Sequence, residues 1–172
     1  MRKITLLLAF IGMIGLQSCT VNEVVEDDRI DYDTISEVWE YSRSFTVGNG
    51  FTTIINFPHT IYSSDMVLVY RLKGVESNGD DIWKLLPETY YFDDGTLDFR
   101  YDFDFTLRDA LIKMEGFDLP GISNSYTSNQ IFRIVVIPAF FGNKGSDGID
   151  INNYNEVIKK YNIDESKILK IK

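Results

Sequence analysis

From Glu37 onward, apolar and polar positions alternate with a period of two, the spacing of a strand with one buried and one wet face. The longest case places Leu97, Phe99, Tyr101, Phe103, Phe105 and Leu107 on one face and Asp98, Arg100, Asp102, Asp104, Thr106 and Arg108 on the other. Burial of all six apolar side chains is expected. Ala110, Ile112 and Met114 continue a one-sided pattern, and a strand is expected there although Arg108 to Glu115 would also accept a helix on propensity. Trp39, Tyr41, Phe45 and Val47 alternate with Glu40, Ser42, Ser44 and Thr46, and Phe51 to Phe57 resumes extended composition after Gly48-Asn49-Gly50. These features predict a β-hairpin, with Pro58 ending its second strand.

Two stretches break the alternation. Met66–Leu72 (MVLVYRL) and Ile131–Ile137 (IFRIVVI) are continuous apolar runs interrupted only by Arg71 and Arg133, the pattern of central strands covered on both faces. Turns are predicted at Ser77–Asp81 and Asp94-Gly95, and Pro87 separates two further short strands. Only the tail reads as helical. Asp150 is the expected N-cap, Ile151, Tyr154, Ile158 and Tyr161 form one stripe, Lys159 and Lys160 suit the last turn, and Ser166–Ile171 is expected to add a short closing strand. About eight strands with regularly spaced turns make the fold class all-β, an antiparallel β-sandwich with a C-terminal α-helix and a closing strand, occupying residues 34–172.

The first residues follow other rules. Met1-Arg2-Lys3 is positive and Ile4–Leu16 is an apolar run of 13 residues, short of the about 20 that a membrane-spanning helix needs. Its size and flanks are those of a secretory signal, residues 1–18. Leu16-Gln17-Ser18-Cys19 then resembles the lipobox of bacterial lipoproteins, in which the signal is cut before the cysteine and the thiol carries diacylglycerol, with a further acyl chain such as palmitate on the new amino terminus. Cys19 is the expected lipidation site, and its chains would anchor the protein to a lipid membrane without spanning it. As the sole Cys in the chain it permits no intrachain disulfide. Residues 19–33 read as an acidic tether. Thr20 rather than Asp after Cys19 resembles outer-membrane sorting, and Glu26-Asp27-Asp28 resembles the acidic signals that carry some lipoproteins of the Bacteroidota to the outer face.

A formal net charge of −9 opposes phosphate backbones, so no nucleic acid is expected as a partner. Chemistry is sparse. With one His in the chain, an imidazole metal site would need His59 plus carboxylates, and a solvated loop residue is the simpler expectation. No dinucleotide, P-loop or Cys-pair motif occurs, and no cofactor is expected. Asp102 and Asp104 share a strand face with Asp98 and Arg100, so a paired acid and base is geometrically open; a solvated face with cross-strand Asp–Arg pairs is the ordinary alternative. Asp93-Asp94 and Asp147–Asp150 are acidic turns in which loose calcium coordination competes with plain turn chemistry. Trp83, Tyr90 and Tyr91 are candidates to stack on sugar rings, against core packing.

The Leu-Gln-Ser-Cys-Thr junction, Phe51–Pro58 (FTTIINFP), Ser64–Tyr70 (SDMVLVY) and Asn129–Pro138 (NQIFRIVVIP) together resemble a group of small uncharacterised flavobacterial lipoproteins. The resemblance implies a lipid-anchored envelope protein and supplies no catalytic residues. Members often carry collagen-like Gly-x-x repeats after the Cys; this chain departs from them with the acidic Val21–Asp33 segment, which argues against a role for a triple-helical stalk. The expected function is a non-catalytic binding module for an envelope protein or glycan at the outer membrane. The alternatives are a small carboxylate-dependent hydrolase and a structural or assembly lipoprotein.

Overall fold

Both continuous apolar runs become interior strands of one sheet. The computed structural model describes residues 35–138 and 149–171. Among the described residues there are nine strands: β1 Glu37–Arg43, β2 Thr52–Asn56, β3 Met66–Val75, β4 Asp81–Leu85, β5 Glu88–Tyr91, β6 Leu97–Phe105, β7 Asp109–Gly116, β8 Gln130–Ile137 and β9 Leu169–Ile171. Two helices accompany them, a single turn α1 at Asn124–Thr127 and α2 at Tyr154–Lys160. A five-stranded sheet runs β4-β3-β8-β1-β9 and a four-stranded sheet runs β2-β7-β6-β5. All pairings are antiparallel except β1 with β9. Every described residue belongs to one compact unit, Asp31–Lys172.

The sandwich follows from the alternation. On one face of the five-stranded sheet, Trp39, Tyr41, Val67, Val69, Phe132, Ile134 and Val136 meet Ile55, Phe99, Tyr101, Ala110, Ile112 and Met114 from the other sheet. On its opposite face, Val38, Leu68, Tyr70, Val135 and Ile137 pack with Trp83 and Leu85 against Tyr154, Val157 and Tyr161 of the C-terminal segment. Strands β3 and β8 are therefore apolar on both sides because both sides are covered, as their runs predict. The Ala110-Ile112-Met114 pattern is likewise a strand, with those three residues buried.

Three expectations need correction. Residues 37–57 do not form a hairpin. Strand β1 pairs with β8 and β2 pairs with β7, so the intervening loop crosses between sheets. Thr46 and Asn49 cap a 3-10 turn at Val47–Asn49, Gly50 is left-handed, and the Phe45 N–H donates to the Thr127 carbonyl at 2.7 Å, carrying the chain away from β1. The alternation through Leu107 is not buried throughout: Phe99 and Tyr101 are interior, Phe103 is half-buried, and Leu97, Phe105 and Leu107 are exposed. Only the middle of the strand is covered by the opposing sheet. The helix begins later than expected, with Asn153 rather than Asp150 as N-cap, and its buried face is Tyr154, Val157 and Tyr161. Ile151 stays exposed in the preceding turn.

The strand directions give the sandwich two distinct ends. Residues 35–37, the 57–66 loop, the 106–108 turn and Ile137 share the end where the chain enters β1, here the near end. Arg43, the 76–80 turn, the 92–96 turn and Phe117 share the far end.

Candidate functional site

A cleft of about 330 Å³ opens beside β4, where the five-stranded sheet meets the segment leading into α2. One wall comes from the β3–β4 hairpin and carries Glu76, Asp81, Ile82 and Trp83; the other carries Asp150, Asn152, Asn153, Tyr154 and Asn155. The hairpin wall is shaped by a tight turn. The Glu76 N–H donates to Asp80 O at 2.8 Å, the Gly79 N–H donates to Glu76 O at 3.0 Å, and Gly79 has a φ of 95°, where a side chain would be strained.

The second wall is held by its own polar side chains. Asp150 Oδ1 accepts from both the backbone and side-chain N–H groups of Asn152 at 2.9 Å. Glu156 spans the loop, one oxygen accepting the Asp150 N–H at 3.1 Å and the other the Asn153 amide at 3.0 Å. The Tyr70 hydroxyl donates to Ile151 O, fixing the segment to the sheet. Bonds from Asn152 and the charge of Lys84 hold the Asp150 carboxyl below the ordinary carboxylate range, so it is ionised at neutral pH.

The base of the cleft is set from below. Arg133, a break in an apolar run, lies on the outer face of β8 with its guanidinium 4.1 Å from the Trp83 ring centroid. It donates to Glu40 at 3.0 Å, to the Tyr154 hydroxyl at 2.7 Å and to Glu165 at 2.7 Å, while Lys170 pairs with Glu40 at 3.0 Å. Trp83 and Tyr154 also touch, with centroids 5.5 Å apart. Burial pushes the Tyr154 phenol up, outweighing the opposing charge of Arg133, so it remains a neutral donor. The resulting cleft is lined by carboxylates, amides and the two aromatics Trp83 and Tyr154, a mixture suited to hydroxyl-rich ligands.

The remaining candidates lie elsewhere. Tyr90 is stacked on Phe99 at 4.5 Å inside the sandwich, and Tyr91 is exposed at the far end. Asp102 and Asp104 lie on the outer face of β6, among cross-strand ion pairs. Arg100 contacts Glu115 at 2.6 Å and Asp102 at 3.4 Å, and Lys113 contacts Glu115 at 3.0 Å and Asp104 at 4.0 Å. Hydrogen bonds from Lys113 and Arg100 lower the Glu115 pKa. Asp94 accepts the backbone and hydroxyl donors of Thr96, which is turn chemistry. Among the described residues no group of three or more His, Cys, Asp or Glu could hold a metal ion. Asp147 and the lipobox residues Leu16, Gln17, Ser18 and Cys19 lie outside the described residues.

His59 is more than a solvated loop residue. Its Nε2 faces the two Glu37 carboxylate oxygens at 2.9 and 3.1 Å, its Nδ1 faces Thr60 O at 3.2 Å, and its ring meets Trp39 edge-on at 5.5 Å. Both nitrogens face acceptors, an arrangement satisfied only by the imidazolium.

Sequence reasoning also missed a polar cluster buried between the sheets. Arg71 points between the sheets and donates to Glu88 at 2.8 Å, Gln130 at 2.8 Å and the Tyr90 hydroxyl at 2.6 Å; Tyr90 donates onward to Glu88 at 2.9 Å. Its one available signal was a lone Arg within a run of buried aliphatics. Among the described residues no helix is long and apolar enough to cross a membrane. Comparison with protein families, characterised proteins and solved structures returns no match, so the cleft and the N-terminal motif carry the functional argument by themselves.

Proposed function

We propose that this protein is an outer-membrane lipoprotein, anchored through acyl chains on Cys19, whose β-sandwich binds a glycan of the cell envelope without transforming it. The lipobox order Leu16-Gln17-Ser18-Cys19 and the resemblance to flavobacterial lipoproteins support the address. One observation supports the binding role: the cleft beside β4 is lined by the carboxylates of Glu76, Asp81 and Asp150, three Asn residues and Trp83. Sugar hydroxyls offer donors to the carboxylates and both donors and acceptors to the amides. The cleft adjoins the far-end turn at 76–80, away from where the chain from Cys19 enters β1, so an anchored molecule would present it outward.

Two measurements test the proposal. Metabolic labelling with a fatty acid should follow the protein and vanish in Cys19→Ala, with the variant released from the membrane fraction; labelling that persists defeats the anchor. A glycan array should give hits whose affinity drops at least about tenfold in the Asp81→Ala/Asn155→Ala double variant, equivalent to about 1.4 kcal/mol. Undiminished binding by that variant defeats the cleft assignment. A blank array together with capture of an envelope protein would replace the glycan with a protein ligand.

A further inference from the structure

We infer that the near end of the sandwich rests on the bilayer surface, inserting a ring of apolar side chains into the interface between headgroups and acyl chains; this rests on the proposed anchoring at Cys19. Five large apolar side chains at that end, Ile35, Tyr62, Met66, Phe105 and Leu107, are each between 40% and 51% exposed. They come from three separate segments of the chain, around residues 35, 62–66 and 105–107, that the topology gathers together. Ile35 leads into β1, whose first residue Glu37 is registered with Val136. Met66 opens β3 beside Ile137, and Tyr62 precedes it in a turn closed by the Asp65 N–H donating to Tyr62 O at 3.1 Å. Leu107 is bound to the same loop, its carbonyl accepting the Ile61 N–H at 2.9 Å, and the Phe105 ring stacks with Phe103 at 6.5 Å.

The occupant is indicated by where the chain comes from. Fifteen residues separate Cys19 from Ile35, and that length spans at most about 58 Å when fully extended. The near end is therefore held at high local concentration over the surface that carries the acyl chains, where weak contacts suffice for seating. Two exposed aromatics, a Met and two branched aliphatics match the composition of interfacial contacts. The anchored chain lacks Arg2 and Lys3 and is more acidic than the −9 of the full sequence, so anionic lipid repels it and the proposed contact is apolar and insensitive to salt. The far end also exposes apolar side chains, among them Tyr91, Phe92, Leu97 and Phe117, so the tether and not apolarity alone selects the near end, and Phe117, 85% exposed at the opposite end of the strands, supplies an internal control.

The test uses the acylated mature chain, which begins at Cys19, in vesicles of phosphatidylethanolamine and phosphatidylcholine. Acylated Cys19 is the sole native Cys, so a thiol introduced by Tyr62→Cys, Leu107→Cys or Phe117→Cys can be spin-labelled alone. Flotation with the vesicles, lost in Cys19→Ala, establishes the anchor independently. In floating protein, labels at 62 and 107 should be about fivefold less accessible to a water-borne relaxation agent than the label at 117, and more accessible to oxygen dissolved in the bilayer. Near-end labels as wet as the far-end label, in protein that floats, overturn the inference and leave the anchor standing. Protection from water at 62 and 107 without access to lipid-dissolved oxygen also overturns it, assigning the near end to a protein contact. Failure to float overturns the anchoring and this inference with it.

Discussion

Arg71 shows what a single residue can cost when its partners are disturbed. It is buried with Glu88 between the sheets, and the two charges are compensated by three donated hydrogen bonds and the Tyr101 ring 4.8 Å away. Glu88→Gln leaves a buried guanidinium with no counter-charge, and the expected loss of unfolding free energy is about 3–5 kcal/mol. Chemical denaturation of Glu88→Gln and of the Arg71→Met/Glu88→Leu double variant measures this; the double variant, which leaves no unpaired charge, should lose less than Glu88→Gln. His59 makes a pH-dependent contribution. Desolvation lowers its pKa, but the hydrogen bonds to Glu37 and Thr60 with the charges of Glu37 and Asp65 outweigh it, and the net shift is upward. A raised folded pKa means stability that is present below the unfolded value of about 6.5 and is lost as pH rises through the folded value. Thermal melts should therefore show a larger gap between the native chain and His59→Gln at about pH 6 than at about pH 9, and a gap that grows with pH would refute the pairing.

The elements divide into those that local pattern specifies and those that it cannot. Strand β6 is legible because six alternating steps leave no other period, and β3 and β8 are legible because unbroken β-branched runs require cover on both faces. The loop at Gly48–Gly50 carries hairpin residues, yet β1 chooses β8, about 90 residues away in sequence, as its partner. Nothing within the loop encodes that choice. Helix α2 shows the smaller form of the same problem: Asp150 and Asn153 are both good caps, and Tyr154 and Val157 decide between them by packing on the outer face of the sheet. Asn153 accepts the Glu156 N–H, and its amide donates to the Glu156 carboxylate. Asn153→Ala should cost about 1 kcal/mol in denaturant titrations and loosen the loop wall of the cleft, seen as faster amide exchange at 152–156.

At the scale of the whole molecule, the cleft was not legible because its walls lie about 70 residues apart in sequence and meet only through the sheet order. Trp83 and Asp150 were each recognisable as candidates, but Glu76, Asp81 and the Asn residues carry no motif. The tail does more than close the fold. Ile171 packs on the inner core, and Lys170 reaches Glu40, which also binds Arg133. A chain ending at Lys167 uncovers the edge of β1 and should lose on the order of 2 kcal/mol, with greater aggregation as temperature rises. Differential scanning calorimetry with light scattering checks both effects.

The position of β1 between β8 and β9 has a mechanical consequence. Traction delivered through the N-terminus runs along the axis of β1, across seven registered pairs with β8 and three with β9. Those bonds lie crosswise to the pull and are strained together, so rupture must shear the whole ladder instead of unzipping it rung by rung. Under such traction the fold resists at its first strand, so β1 sets the mechanical threshold of the whole sandwich.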